Sequence, residues 1–172
     1  MKVLAFDQAT TKTGYALFST GGGLDYGLIN LSLKEFRDMD ADTKGRLTVK
    51  KISELIEELQ PDYVAIEDVA LQRNAKVLIE LSRIQGGIIG DCDRRGIPIM
   101  ILKPSQWRKT CALTQGAGVK RAVLKQAAKT FVKEAFQADA TSDEADAICI
   151  GWAAWVQVTA AKKKKGGKQY GE

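Results

Sequence analysis

The sequence predicts an α/β domain on a mixed β-sheet, three antiparallel strands plus two parallel strands, flanked by α-helices. Two patterns carry that expectation. In the first part of the chain, apolar runs at 2–6, 15–18 and 24–31 are separated only by a polar turn, Thr10-Thr-Lys-Thr-Gly14, and by Gly21-Gly-Gly23. Strands with such short connections pair as an antiparallel meander. Beyond residue 43, helical spacing alternates with short apolar runs. That order gives parallel strands joined by helices.

Each later element has its own signal. In 43–59, Val49, Ile52, Leu55, Ile56 and Leu59 recur at helical spacing, and Pro61 follows. Residues 62–66 read as a fourth strand, with Glu67 at its end. Residues 75–90 read as a helix with Val77, Leu78, Leu81, Ile84 and Ile88 on one side. Its Gly86, Gly87 and Gly90 lower helix propensity and permit close approach, so it serves either a core or an interface. Residues 97–102 form a fifth strand closed by Pro104, and Ser105 caps a short helix holding Trp107. Gln115-Gly-Ala-Gly118 reads as a flexible loop before a helix over 119–136. Ser142 caps a last helix over 143–161 whose first turn is acidic, as a helix N-terminus prefers.

The expected organisation is one domain over 1–161 and a basic, disordered tail over 162–172. A chain of 172 residues buries a core without disulfide or metal staples. Its longest apolar run, 152–156, is far short of the ~20 residues of a membrane helix. The N-terminal apolar run stops at Asp7, too short for a signal peptide, so the expected compartment is the cytosol. Cys92, Cys111 and Cys149 are scattered, with no CxxC, and read as buried reduced thiols.

The chain has no histidine. That excludes a Ser-His-Asp triad, a Cys-His pair and any His-ligated metal. Hydrolysis then falls to carboxylates with a hard metal, or to Lys, Tyr or backbone groups.

The net charge of +5 is unevenly spread. Residues 101–135 carry Lys103, Arg108, Lys109, Lys120, Arg121, Lys125, Lys129 and Lys133 against the single anion Glu134. The 162–172 tail adds five lysines against Glu172, so the rest of the chain is acidic. A basic segment on an acidic body points to a polyanion partner, and nucleic acid is the expectation for 101–135. The tail reads either as a further contact or as a solvated, low-complexity end.

Four carboxylates sit where elements end. Asp7 follows an apolar strand, Glu67 ends another with the same grammar, and Asp143 and Asp146 stand at i, i+3 on one helix face. Singly, each reads as a turn or helix-start residue. Together, at the edge where parallel strands deliver their last residues, they call for a cation. Oxygen ligands in that number suit Mg²⁺ or Mn²⁺. Two carboxylate-held metals astride a phosphodiester is a nuclease solution, with the basic segment holding the phosphates.

Those residues resemble a known family. Leu4-Ala-Phe-Asp7 with Thr13-Gly14-Tyr15, Ala65-Ile66-Glu67, and Ser142-Asp-Glu-Ala-Asp146-Ala147 are similar, in order and spacing, to the motifs of RuvC-type Holliday junction resolvases of the ribonuclease H-like superfamily. The resemblance covers roughly residues 1–160. It implies a ribonuclease H-like sheet and the metal ligands Asp7, Glu67, Asp143 and Asp146. The family also uses two lysines near the scissile phosphate, for which Lys109 and Lys120 are the matches here. Lys103, Arg108, Arg121 and Lys125 are the further expected DNA contacts.

Three features depart from cellular members: Gln8-Ala9 stand where Pro-Gly commonly follows the first Asp, no aromatic residue follows Glu67 in 68–71, and the tail is basic. They look like the variants carried by phages of Gram-positive bacteria. That likeness implies a looser endonuclease for branched DNA, junctions and forks alike, acting in a bacterial host cell on recombination and replication intermediates.

The mechanism so implied has Asp7 bridging two Mg²⁺ ions per site, with Mn²⁺ as a substitute. Glu67 lies on one side and Asp143 or Asp146 on the other, and the products are 5′-phosphate and 3′-hydroxyl ends. Two symmetric cuts favour a C2 homodimer, with helix 75–90 as the candidate interface. Glu144 reads as a residue behind the ligands or as solvated. Trp107 either stacks on a base or packs beneath its helix, and Trp152 and Trp155 read as core or interface. Other classes remain: a junction-binding protein without cleavage, an actin-like ATPase, which needs a second glycine-rich phosphate loop and a longer chain, and an RNA–DNA hybrid nuclease.

Overall fold

The computed structural model describes residues 1–70, 74–113 and 118–166, the last three by their backbone only. The 115–117 part of the expected loop and the tail beyond Gly166 lie outside the described residues. Five strands, β1 (Lys2–Asp7), β2 (Lys12–Ser19), β3 (Gly23–Asn30), β4 (Tyr63–Glu67) and β5 (Ile99–Leu102), form one sheet in the order β3-β2-β1-β4-β5. β1 pairs antiparallel with β2 and parallel with β4; β2–β3 is antiparallel and β4–β5 parallel. This is the expected mixed sheet.

Helices α1 (Ala41–Leu59) and α2 (Ala75–Arg95) cover one face. Helices α3 (Pro104–Thr110), α4 (Arg121–Phe136) and α5 (Ser142–Gly166) cover the other. β1 is therefore apolar on both sides. Leu4 and Phe6 pack toward α1 and α2, Val3 and Ala5 toward α5. A strand buried on two faces reads as a continuous apolar run rather than an alternation.

Small residues bring α5 close to the sheet. A Cβ on Gly151 would stand 2.8 Å from the Phe18 ring and 3.1 Å from Ala5 Cβ. Gly87 likewise lets α2 approach α1, where a Cβ would stand 2.9 Å from Val49. Helix α2 accordingly faces the core through Ile84, Ile88 and Cys92, while Val77 and Ile79 stay exposed.

Several boundaries differ from the expectations. β2 starts at Lys12, because Lys12–Gly14 pair with β3 and Gly14 with Asp7. Those polar residues belong to a ladder rather than a turn. α2 runs on to Arg95 and ends on Gly96, whose φ of 67° is a left-handed cap. The last helix starts one residue early, so Ser142 lies inside it. The capping role falls to Thr141, whose main-chain N–H and hydroxyl both donate to Glu144 Oε2, at 2.8 and 2.6 Å. That Thr–Glu pair is a capping box, and Glu144 is thereby a helix-start residue. α5 also runs through 162–166 to Gly166, so the expected disordered tail is helical over those positions. The three cysteines are buried and unpaired.

Candidate active site

β1 and β4 are neighbours and parallel, with Phe6 beside Ile66 in register. The next residues, Asp7 and Glu67, therefore emerge together at one edge of the sheet. The start of α5 lies against that edge because β2 offers no side chain there. A Cβ on Gly14 would overlap the main-chain carbonyl of Asp143. Asp143 and Asp146 are thus brought to Asp7 by backbone contact across a glycine. Gln8 ties the two strand ends, its Nε2 donating to the Glu67 main-chain carbonyl at 2.6 Å.

The four acids share one field. Burial holds the Asp7 carboxyl well above the usual carboxylate range, and the charges of Asp146, Glu67 and Asp143 push the same way against Lys125. Burial also pushes Asp146 up, to about 6; Lys125 and Arg108 oppose this while Glu67 and Asp143 add to it. Glu67 is raised by burial, offset in part by the Trp107 hydrogen bond, Arg108 and Arg121. Crowded, desolvated carboxylates of this kind mark a functional site.

Two of the acids already have partners. Trp107 Nε1–H donates to Glu67 Oε1 at 2.9 Å. Lys125 Nζ stands 2.8 Å from Asp143 Oδ1 and 3.1 Å from Ser142 Oγ. Among the described residues, no three acidic or cysteine side chains converge on one metal position. The donor set still fits a hard cation: every candidate ligand is a carboxylate oxygen, and Asp7 and Asp146 are buried beside other carboxylates whose repulsion a bound cation would relieve.

The basic residues divide. Lys125, Arg108 and Arg121 lie close enough to act on the acids. Lys109, one residue along α3 from Arg108, is exposed. Lys120 is the exposed N-cap residue before α4, and Lys103, which precedes α3, is exposed with its N–H donating to Gln106 Oε1 at 2.8 Å. Trp107 is 2% exposed, which leaves no ring face for a base. Its bond to Glu67 had no sequence signal, since the partners are 40 residues apart. Lys125 was legible only as a cation.

A five-stranded mixed sheet with acids at the ends of its first and fourth strands and at the start of its last helix is a ribonuclease H-like fold. The chain belongs to the RuvC family: the family model for crossover junction endodeoxyribonuclease RuvC matches residues 3–153. It is similar to the crossover junction endodeoxyribonuclease RuvC of Trichlorobacter lovleyi, 32% identical over 150 residues, covering 87% of this chain and 84% of that one. The RuvC of Pelobacter propionicus is 31% identical over 156 residues, covering 87% and 85%. Among solved structures, Thermus thermophilus RuvC in complex with a Holliday junction substrate superposes with a TM-score of 0.69 at 16% identity, covering 89% of this chain and 91% of that one. The yeast mitochondrial Holliday junction resolvase Ydc2 superposes with a TM-score of 0.54 at 15% identity, covering 98% and 83%. These two likenesses are of fold.

Proposed function

We propose that the chain is a Mg²⁺-dependent endodeoxyribonuclease that resolves four-way junctions and cuts related branched DNA during recombination and repair. The carrying observation is the meeting of Asp7, Glu67, Asp143 and Asp146 at one sheet edge beside Arg108 and Lys125. Family membership supports it, since the curated relatives bear the name crossover junction endodeoxyribonuclease.

The four acids would hold Mg²⁺, two ions per site, with Mn²⁺ as a substitute. Bound there, the metal would supply a nucleophilic water at neutral pH and Lewis-acid stabilisation of the leaving oxygen. The chain's own residues do the rest. Asp7, shared by the other three acids, fixes the centre of the site. Arg108 and Arg121 face the acids and draw a phosphodiester into a field that carboxylates alone would repel. Lys103, Lys109, Lys120, Lys129 and Lys133, exposed on α3, α4 and their approaches, hold the flanking backbone and make binding salt-dependent. Cleavage leaves 5′-phosphate and 3′-hydroxyl ends.

Two cuts in one junction favour a C2 homodimer, with the exposed Val77 and Ile79 of α2 as the meeting face. Among the described residues no helix is long and apolar enough to cross a membrane. Gln8-Ala9 and the aromatic-free 68–71 segment support a phage-type enzyme working in the cytoplasm of a bacterial host. Helix α5 carries the nuclease unit on to Gly166, and the five lysines of 162–172 serve as a further DNA contact.

The test is incubation with a labelled four-way junction, a fork and linear duplex, in Mg²⁺ and in EDTA. Paired Mg²⁺-dependent nicks near the branch, with duplex spared, are expected. Glu67→Gln should keep junction binding and lose cutting. A second reading, junction binding without cleavage, draws on the Lys125–Asp143 pair and the lack of three converged ligands among the described residues. Binding with no cuts in either Mg²⁺ or Mn²⁺ would establish that reading instead.

A further inference from the structure

We propose that Trp107 is the positioning residue of this site: the edge of its indole holds Glu67 and the face of its ring holds Arg108. The inference rests on the nuclease reading above and deepens it.

The physical case starts from burial. At 2% exposure the indole N–H of Trp107 has lost water and needs a protein acceptor. It has one in Glu67 Oε1 at 2.9 Å, a hydrogen bond strengthened by the carboxylate's charge. A carboxylate has two oxygens. With Oε1 committed to the indole, Oε2 takes no hydrogen bond among the described residues. The Glu67 main chain is fixed separately, by Gln8 Nε2 at 2.6 Å. Backbone and side chain are thus held by different residues, and only the side-chain hold depends on Trp107.

The second contact lies on the ring face. The Arg108 guanidinium carbon stands 4.7 Å from the Trp107 ring centroid. Stacking keeps that long side chain on the acid side of α3, where its charge reaches both Glu67 and Asp146. One rigid ring, packed among Leu102, Cys111 and the α4–α5 core, therefore sets the positions of an acid and a cation that must act together. Residues that orient a metal-ligating side chain typically cost 10–100-fold in metal affinity or activity when removed.

The test uses the full chain carrying Trp107→Phe, which keeps a ring and removes the N–H. Free Mn²⁺ is followed by electron paramagnetic resonance without DNA. Junction cleavage is measured across the same Mn²⁺ range, and junction binding is measured in EDTA. The Mn²⁺ half-saturation should rise about tenfold or more. The cleavage midpoint should move with it, and binding in EDTA should stay within about twofold. An unchanged Mn²⁺ midpoint overturns the proposal. So does an equal shift in Trp155→Phe, a tryptophan on the far part of α5, because the effect would then be general loosening.

A second measurement does not depend on the variant folding. The chain's three tryptophans give three indole N–H resonances. Glu67→Gln should displace one of them, and three unmoved resonances overturn the proposal. A wild-type chain that cuts junctions while Trp107→Phe behaves identically sinks this inference alone. A wild-type chain that neither binds Mn²⁺ nor cuts sinks the nuclease reading with it.

Discussion

Lys125 and Asp143 form an ion pair, 2.8 Å between Nζ and Oδ1, inside a cluster of acids that otherwise repel one another. A side-chain cation occupies part of the field that a metal would neutralise. Lys125→Met should therefore expose the repulsion among Asp7, Asp143 and Asp146. In EDTA the variant should melt below wild type by about 2–4 °C, the shift that ~1 kcal/mol gives at this size. Saturating Mg²⁺ should close most of that gap, giving the variant the larger metal-induced rise in Tm. Equal rises in the two proteins would show that Lys125 does not balance the acids.

Asp146 yields a pH prediction. Its carboxyl is raised from 3.8 to about 6, chiefly by burial. Between those values the folded state binds a proton that the unfolded state has lost. The folded state therefore carries a penalty fully present above about pH 6 and gone below about pH 4. At roughly 1.4 kcal/mol per pH unit, the penalty is on the order of 2–3 kcal/mol. Asp146→Asn should raise the metal-free Tm at pH 7 and abolish cutting. The gain should shrink as pH falls through 6 toward 4, where wild-type Asp146 is neutral too. A gain independent of pH would place its cause outside this titration.

Gly14 offers a steric test. A methyl group there overlaps the Asp143 carbonyl and comes within 3.0 Å of the Glu144 main-chain N, and all of these obstacles are backbone. Gly14→Ala should cost about 1–3 kcal/mol, as overpacking does, and should lower cleavage in whatever fraction folds. Wild-type cutting at unchanged Tm would mean the start of α5 is not seated on β2.

Arg108 and Lys109 are adjacent on α3 but differ in what they face. Arg108→Gln should reduce cutting by well over tenfold with junction binding largely kept. Lys109→Gln should mainly weaken binding and flatten its salt dependence by about one counterion. The reverse pattern in cleavage assays and salt titrations would return the catalytic role to Lys109.

The strands that end in Asp7 and Glu67 were legible because each is an apolar run that meets a charge, and Asp143 and Asp146 stood out as i, i+3 acids at a helix start. The resemblance pointed to Lys109 and Lys120, but neighbours on a helix differ by about 100° in direction, and only packing shows that Arg108 is the one turned toward the acids. Trp107 illustrates the same limit. Its burial was one of two readings, but the acceptor of its N–H comes from β4, far away in the chain. Lys12-Thr13-Gly14 read as a turn because the residues are polar, yet Thr13 is buried and exchanges hydrogen bonds with Ala9 at 3.0 Å. Polarity there served local pairing, which composition does not reveal. The Thr141–Glu144 box was spelled out in the chain, but Ser142 stood beside it as an equally good cap.

The close seat of α5 makes it a calibrated shaft. Gly151 is locked against Phe18 and Ala5, while Asp143 and Asp146 lie one to two turns before it. Inserting or deleting one residue in that stretch would swing both acids by about 100° and slide them ~1.5 Å along the axis. Neither would then point at the sheet edge, although composition and apolar content would hardly change. The stretch between Asp146 and Gly151, Ala147 to Ile150, is fully buried, so its length as much as its packing sets where the two acids point.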